Sequence, residues 1–127
     1  RDHNNVIITG LQGSTTGLGW VGYAFAREAS GVKILGVADE ATDDCVVPTD
    51  ETIADGTYPI ARPLFIYVNK QRADDNPMLA SWVDYFLSDE GSDAVSEVGY
   101  VALPADQLEL TRQVWQQRET GPQEVEP

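Results

Sequence analysis

The sequence is short of the residues that most catalytic and metal chemistry needs. It holds one histidine, His3, and one cysteine, Cys45, in 127 residues. A lone cysteine excludes an internal disulfide. Its neighbours in Asp39-Glu-Ala-Thr-Asp-Asp-Cys45 raise a thiol pKa rather than lower it, which argues against a nucleophile. A lone histidine near the chain start leaves zinc ligation and histidine-based proton transfer nothing to build on. Basic residues are also scarce, at 8 against 21 acidic, for a net charge of −13. Such a surface repels phosphodiester backbones and anionic headgroups, which disfavours nucleic acid as a partner. No apolar run reaches the length of a membrane-spanning helix.

What is present reads as ordinary globular protein, 42% hydrophobic and 23% charged, with room for one modest core. The chain begins at Arg1, and we read it as a processed or trimmed product. Asn4–Leu11 is ambiguous between strand and helix, and helix is the preferred reading. Gly13-Ser-Thr-Thr-Gly17 is a turn. Tyr23–Glu28 is expected to be helical, Val32–Ala38 a strand and Asp39–Cys45 an acidic loop. Thr49 is placed to cap a helix that Gly56 closes. Leu64–Val68, bounded by prolines, suits a strand buried on both faces. Asn69–Asp75 reads as a polar loop, and Asn76-Pro77 as the start of a helix whose stripe is Leu79, Trp82, Val83, Phe86 and Leu87. A second helix ends at Gly99. A third starts at Pro104, with Leu108, Thr111 and Trp115 on one face.

Several motifs bear on chemistry. Gly17-Leu-Gly-Trp-Val-Gly22 is an intact G-x-G-x-x-G, with Asp39 about where a ribose-binding acid belongs, so a dinucleotide-binding (Rossmann-like) oxidoreductase fragment is one alternative. The long gap from Val6-Ile-Ile8 and the bulk of Trp20 weigh against it. Ser14, Thr15 and Thr16 are weak candidates for an anion nest. Asp39, Glu40, Asp43 and Asp44 lack the glycine and distant glutamate of an EF-hand, so no metal is assigned. No catalytic set assembles, no cofactor is expected, and the chain does not read as an enzyme.

Taken together, Asp2-His-Asn-Asn-Val-Ile-Ile-Thr-Gly10, Leu18-Gly-Trp-Val-Gly-Tyr-Ala-Phe-Ala-Arg-Glu28, Val47–Pro59, Tyr58-Pro-Ile-Ala-Arg-Pro-Leu-Phe-Ile-Tyr-Val68 and Glu97-Val-Gly-Tyr-Val-Ala-Leu-Pro104 resemble the C-terminal portion of the phosphate-binding proteins that serve ABC transporters. The resemblance implies an α/β fold, part of a two-lobed periplasmic-binding-protein-like (type II) architecture. Residues 2–57 would belong to one lobe, 58–63 would be a crossing or hinge strand with Arg62 at the hinge, 64–118 would return to the other lobe, and 119–127 would be a tail. It also implies extracytoplasmic location, inorganic phosphate as ligand, an ABC transporter permease as partner, and a missing N-terminal half or a second copy to complete the sheet. The family's anion ligands include an arginine followed by a Ser-Gly-Thr stretch, which lies N-terminal to the portion matched here. This chain is therefore expected to be partial scaffold. The third alternative is a non-transport interaction domain on the same scaffold.

Overall fold

The computed structural model describes residues 2–39 and 43–121. Seven helices and one two-stranded sheet make up the described part: α1 (Asp2–Gln12), α2 (Tyr23–Ala26), β1 (Val37–Ala38), β2 (Cys45–Val46), α3 (Asp50–Ala54), α4 (Lys70–Asp75), α5 (Pro77–Phe86), α6 (Asp89–Glu97) and α7 (Ala105–Gln117). The strands are antiparallel, with Val37 opposite Val46 and Ala38 opposite Cys45.

Local side-chain chemistry sets most helix starts. Thr49 and Thr52 form a reciprocal capping box at α3: the Thr49 hydroxyl accepts from the Thr52 N–H (3.1 Å), and the Thr52 hydroxyl accepts from the Thr49 N–H (2.8 Å). Asn76 ends α4 and caps α5, its side chain accepting from the Met78 N–H at 3.1 Å while Pro77 takes the first helical position. The Ser88 hydroxyl accepts from the Gly91 N–H at 3.1 Å and donates to the Tyr85 carbonyl at 2.7 Å, so one side chain ends α5 and starts α6. At the close of α6, Gly99 is left-handed (φ 85°); its N–H donates to the Ser96 carbonyl and the Tyr100 N–H to the Val95 carbonyl. That is a Schellman motif.

Among the described residues the buried apolar ones are Ala73, Val83 and Leu87, so the core lies between α4, α5 and the start of α6. Polar contacts fasten α7 to it. The Arg112 Nε–H donates to the Leu87 carbonyl (2.6 Å) and Nη2 meets Asp89 (2.7 Å). The Trp115 indole N–H donates to Asp84 (2.6 Å), and Arg118 lies 3.5 Å over the Trp115 ring and 3.5 Å from Asp74. Arg118 is itself left-handed (φ 54°), a conformation that costs a non-glycine residue about 1 kcal/mol and that these contacts hold in place.

The structure departs from the sequence reading in four places. Leu64–Val68 has no regular secondary structure and pairs with no strand among the described residues, and Tyr58–Pro63 is a turn closed by the Ala61 N–H on the Tyr58 carbonyl (2.9 Å) followed by coil, not a crossing strand. A strand exists only where a neighbour takes its hydrogen bonds. Only the last two residues of Val32–Ala38 find such a neighbour. The expected polar loop Asn69–Asp75 is α4 instead: Asn69 caps the Arg72 N–H at 3.0 Å, and Ala73 is buried against α5. Glu40 in the acidic loop and all but residues 119–121 of the expected tail lie outside the described residues.

Candidate functional site

One hollow, of about 380 Å³, forms where α2, α3, α6 and the segment after Gly99 meet. Gly99 makes this meeting close: a Cβ there would lie 3.6 Å from the Ala24 methyl. Arg27 reaches from the end of α2 to Asp50 at the start of α3, Nη1 to Oδ1 3.1 Å, with the Tyr23 ring 5.6 Å from its guanidinium carbon. Glu51, Ala54, Ser96, Tyr100, Val101 and Ala102 complete the wall. Burial and then the Asp50 charge push the Tyr23 hydroxyl above its ordinary pKa, so it stays protonated. Glu51 is held below the ordinary carboxylate value, first by its own backbone N–H and then by the Thr49 hydroxyl.

Charge decides what this hollow can do. The one guanidinium is matched by Asp50, and Glu51 leaves the wall with a surplus carboxylate. An anion placed here would meet two carboxylates for one arginine. The arrangement suits a polar joint between α2, α3 and the 99–102 segment, not a phosphate cradle. A second hollow of about 290 Å³, beside Arg112 and Trp115, belongs to the α5–α7 fastening.

The residues singled out from the sequence lie elsewhere. Ser14, Thr15 and Thr16 are exposed in the turn after α1, where the Ser14 N–H donates to the Leu11 carbonyl at 3.0 Å. Among the described residues, positive φ occurs at none of positions 13–17, so the alternating handedness of an anion nest is missing. Arg62 is exposed, between the Tyr58–Ala61 turn and Pro63. Neither hollow is lined by Ser14, Thr15, Thr16 or Arg62. Asp39 and Asp44 join across the hairpin through the Asp39 N–H and the Asp44 carbonyl (3.0 Å). Among the described residues no group of three or more His, Cys, Asp or Glu is arranged to hold a metal.

The dinucleotide alternative fails on local structure. Val6-Ile-Ile8, which had to be a strand leading into the glycines, lies inside α1. The glycines serve packing instead: a Cβ at Gly19 would come 2.8 Å from a Leu11 methyl and 3.0 Å from an Ile7 methyl, and one at Gly17 would come 3.1 Å from the Ser14 Cβ. This segment needs glycine to lie against α1, while Leu18 and Trp20, which alternate with them, are exposed.

The Arg27–Asp50 and Arg112–Leu87 contacts were not foreseen. Their partners lie 23 and 25 residues apart, beyond any helical or strand period.

Comparison with known proteins places the chain. The PBP superfamily domain matches residues 7–90. The phosphate-binding protein PstS of Staphylococcus aureus strain USA300 is 36% identical over 101 residues, which is 79% of this chain and 30% of that protein. PstS of the bovine strain RF122 / ET3-1 is 36% identical over 104 residues. The crystal structure of a possible phosphate binding protein from Planctomyces limnophilus DSM 3776 superposes with a TM-score of 0.69 at 34% identity, covering 92% of this chain and 42% of that one. The chain thus spans about three-tenths of the length of the relatives from Staphylococcus. The α/β, periplasmic-binding-protein-like fold class expected from the sequence holds. This chain belongs to the PBP superfamily domain family.

Proposed function

We propose that the protein containing this chain is an extracytoplasmic substrate-binding protein that captures inorganic phosphate and passes it to an ABC transporter permease, without catalysis. The carrying observation is 36% identity to PstS along 79% of the chain. The superposed possible phosphate binding protein from Planctomyces limnophilus, 34% identical, supports it. Within that protein this chain is scaffold. Its arginine-bearing hollow is occupied by its own carboxylates, and its Ser14–Thr16 hydroxyls sit in an open turn. The anion's main ligands then come from other parts of the protein. Residues 2–57 and 64–118 divide between two lobes, and 58–63 connects them. Arg62, exposed at that connection between two constrained positions, acts in lobe closure.

The test is titration calorimetry on the complete protein and on this chain alone. The complete protein should bind phosphate with a Kd of about 1 µM or tighter, equivalent to ~8 kcal/mol, and not bind sulfate comparably. The isolated chain should show no tight phosphate binding. Arg62→Ala in the complete protein should weaken phosphate retention while leaving the melting temperature in place. A complete protein that ignores phosphate overturns the reading, and micromolar binding by the isolated chain overturns its scaffold role.

A further inference from the structure

The hollow beside Arg27 lies on a seam. Its walls come from two stretches far apart in sequence: Asp50, Glu51 and Ala54 from one, Ser96, Tyr100 and Ala102 from the other. Each stretch packs chiefly on itself, α1 on α2 and β1 on β2 in the first, α4 on α5 and α5 on α6 in the second. Polar contacts also keep to their own side: Arg27 holds Asp50, Asp55 holds Thr57, and Arg112 holds Leu87 and Asp89. Where the stretches touch, the surfaces are small and apolar. A Cβ at Gly99 would lie 3.6 Å from the Ala24 methyl and 3.7 Å from the Ala24 carbonyl oxygen, ordinary contact distances. A contact of this kind lets one packed body turn on another with no polar bond broken.

We propose that the Ala24–Gly99 contact is the pivot of lobe closure, and that the hollow is a gap on the side away from the phosphate cleft, opening as the cleft shuts. This rests on the two-lobe, phosphate-binding reading, in which 2–57 and 64–118 belong to different lobes. Two observations carry it. The hollow bridges those two stretches next to their contact, so a turn about the contact changes its width. Its wall sets Asp50 and Glu51 against one arginine, so it is not where phosphate is held. With the pivot between hollow and cleft, narrowing one widens the other. A side chain that fills the hollow therefore props it open and raises the closed fraction. Phosphate binding tightens by the same factor.

Ala54→Phe and Ala102→Phe test this from opposite walls, at two half-buried positions. In the complete protein each should tighten phosphate binding at least about fivefold by calorimetry, through slower release. Small-angle scattering should find each phosphate-free variant more compact than the phosphate-free parent. A filler that only disturbs its own wall does not move affinity and compactness the same way from both sides. Unchanged or weaker affinity, opposite effects from the two walls, or unchanged dimensions overturn the proposal. Should one variant fail to fold, the other decides. Scattering also separates the two claims. Compaction of the variants in a protein that binds no phosphate keeps the pivot and removes the functional reading. A parent that binds phosphate, with variants that do not compact, does the reverse.

Discussion

Gly91→Ala puts local helix preference and tertiary packing in direct opposition. Gly91 sits in the first turn of α6, where its N–H is capped by Ser88 and its φ is not positive, so its backbone suits alanine. Propensity alone makes the change stabilising by about 0.5–1 kcal/mol. The structure gives the opposite sign. A Cβ there would press on the Tyr85 carbonyl oxygen and come 2.7 Å from the Phe86 carbonyl oxygen and 3.0 Å from the Phe86 carbonyl carbon. These are backbone atoms at the end of α5, and no rotamer moves them aside. Relief requires the α5–α6 corner to open, which strains the Ser88–Tyr85 and Leu87–Val83 backbone bonds, both 3.0 Å. Overpacking of this kind costs about 1–3 kcal/mol and each weakened bond about 1 kcal/mol. After the propensity gain, a net loss of about 3 kcal/mol remains, or a drop of about 1.5 M in the urea midpoint. Gly10→Ala is the matched control. Gly10 lies inside α1 with nothing within 4 Å of its Cβ position, so this variant should gain about 0.5–1 kcal/mol. Urea unfolding of both variants decides. A Gly91→Ala protein as stable as its parent refutes the packing argument.

Two further outcomes follow from the polar contacts. Arg112→Ala, which strips the Leu87 carbonyl and Asp89 of their donor, should cost about 1–2 kcal/mol in chemical denaturation, against under about 0.5 kcal/mol for Glu109→Ala, whose oxygen lies 3.8 Å from Arg112. The Asp55 carboxyl is held below its ordinary value of 3.8, first by the Thr57 hydroxyl (2.7 Å) and then by the Thr57 N–H (2.9 Å). Because its folded pKa is the lower one, its contribution is complete above the unfolded value and is lost as pH falls through the folded value. An NMR titration should find Asp55 below the usual aspartate range, and Thr57→Val should move it back up; an unmoved titration midpoint in that variant removes Thr57 as the cause.

What the sequence revealed depended on how far a signal reaches along the chain. The Thr49 cap, the Asn76-Pro77 start and the Gly99 stop are each written within four residues, and each appears where read. α4 was hidden because its one buried side chain, Ala73, is too small and solitary to draw a stripe through Lys70–Asp75. Leu64–Val68 has strand composition, but the hydrogen bonds that turn composition into a strand must come from outside the segment. The glycines at 17 and 19 looked like a nucleotide motif because sequence spacing cannot tell a close approach to phosphate from a close approach to Leu11. The Arg27–Asp50 joint depends on where two distant helix ends come to rest, which no local pattern encodes.

The polar fastening of α7 makes its attachment responsive to the surrounding electrolyte. Arg112 and Arg118 hold Asp89 and Asp74 through pairs that are partly open to solvent, so dissolved ions compete for them. The apolar contact of Val83 with its neighbours is insensitive to that competition and is strengthened by excluded salts such as sulfate. A rise in ionic strength therefore loosens the last helix while leaving the α4–α5 pair intact, and the molecule divides into one region that registers its ionic medium and another that ignores it.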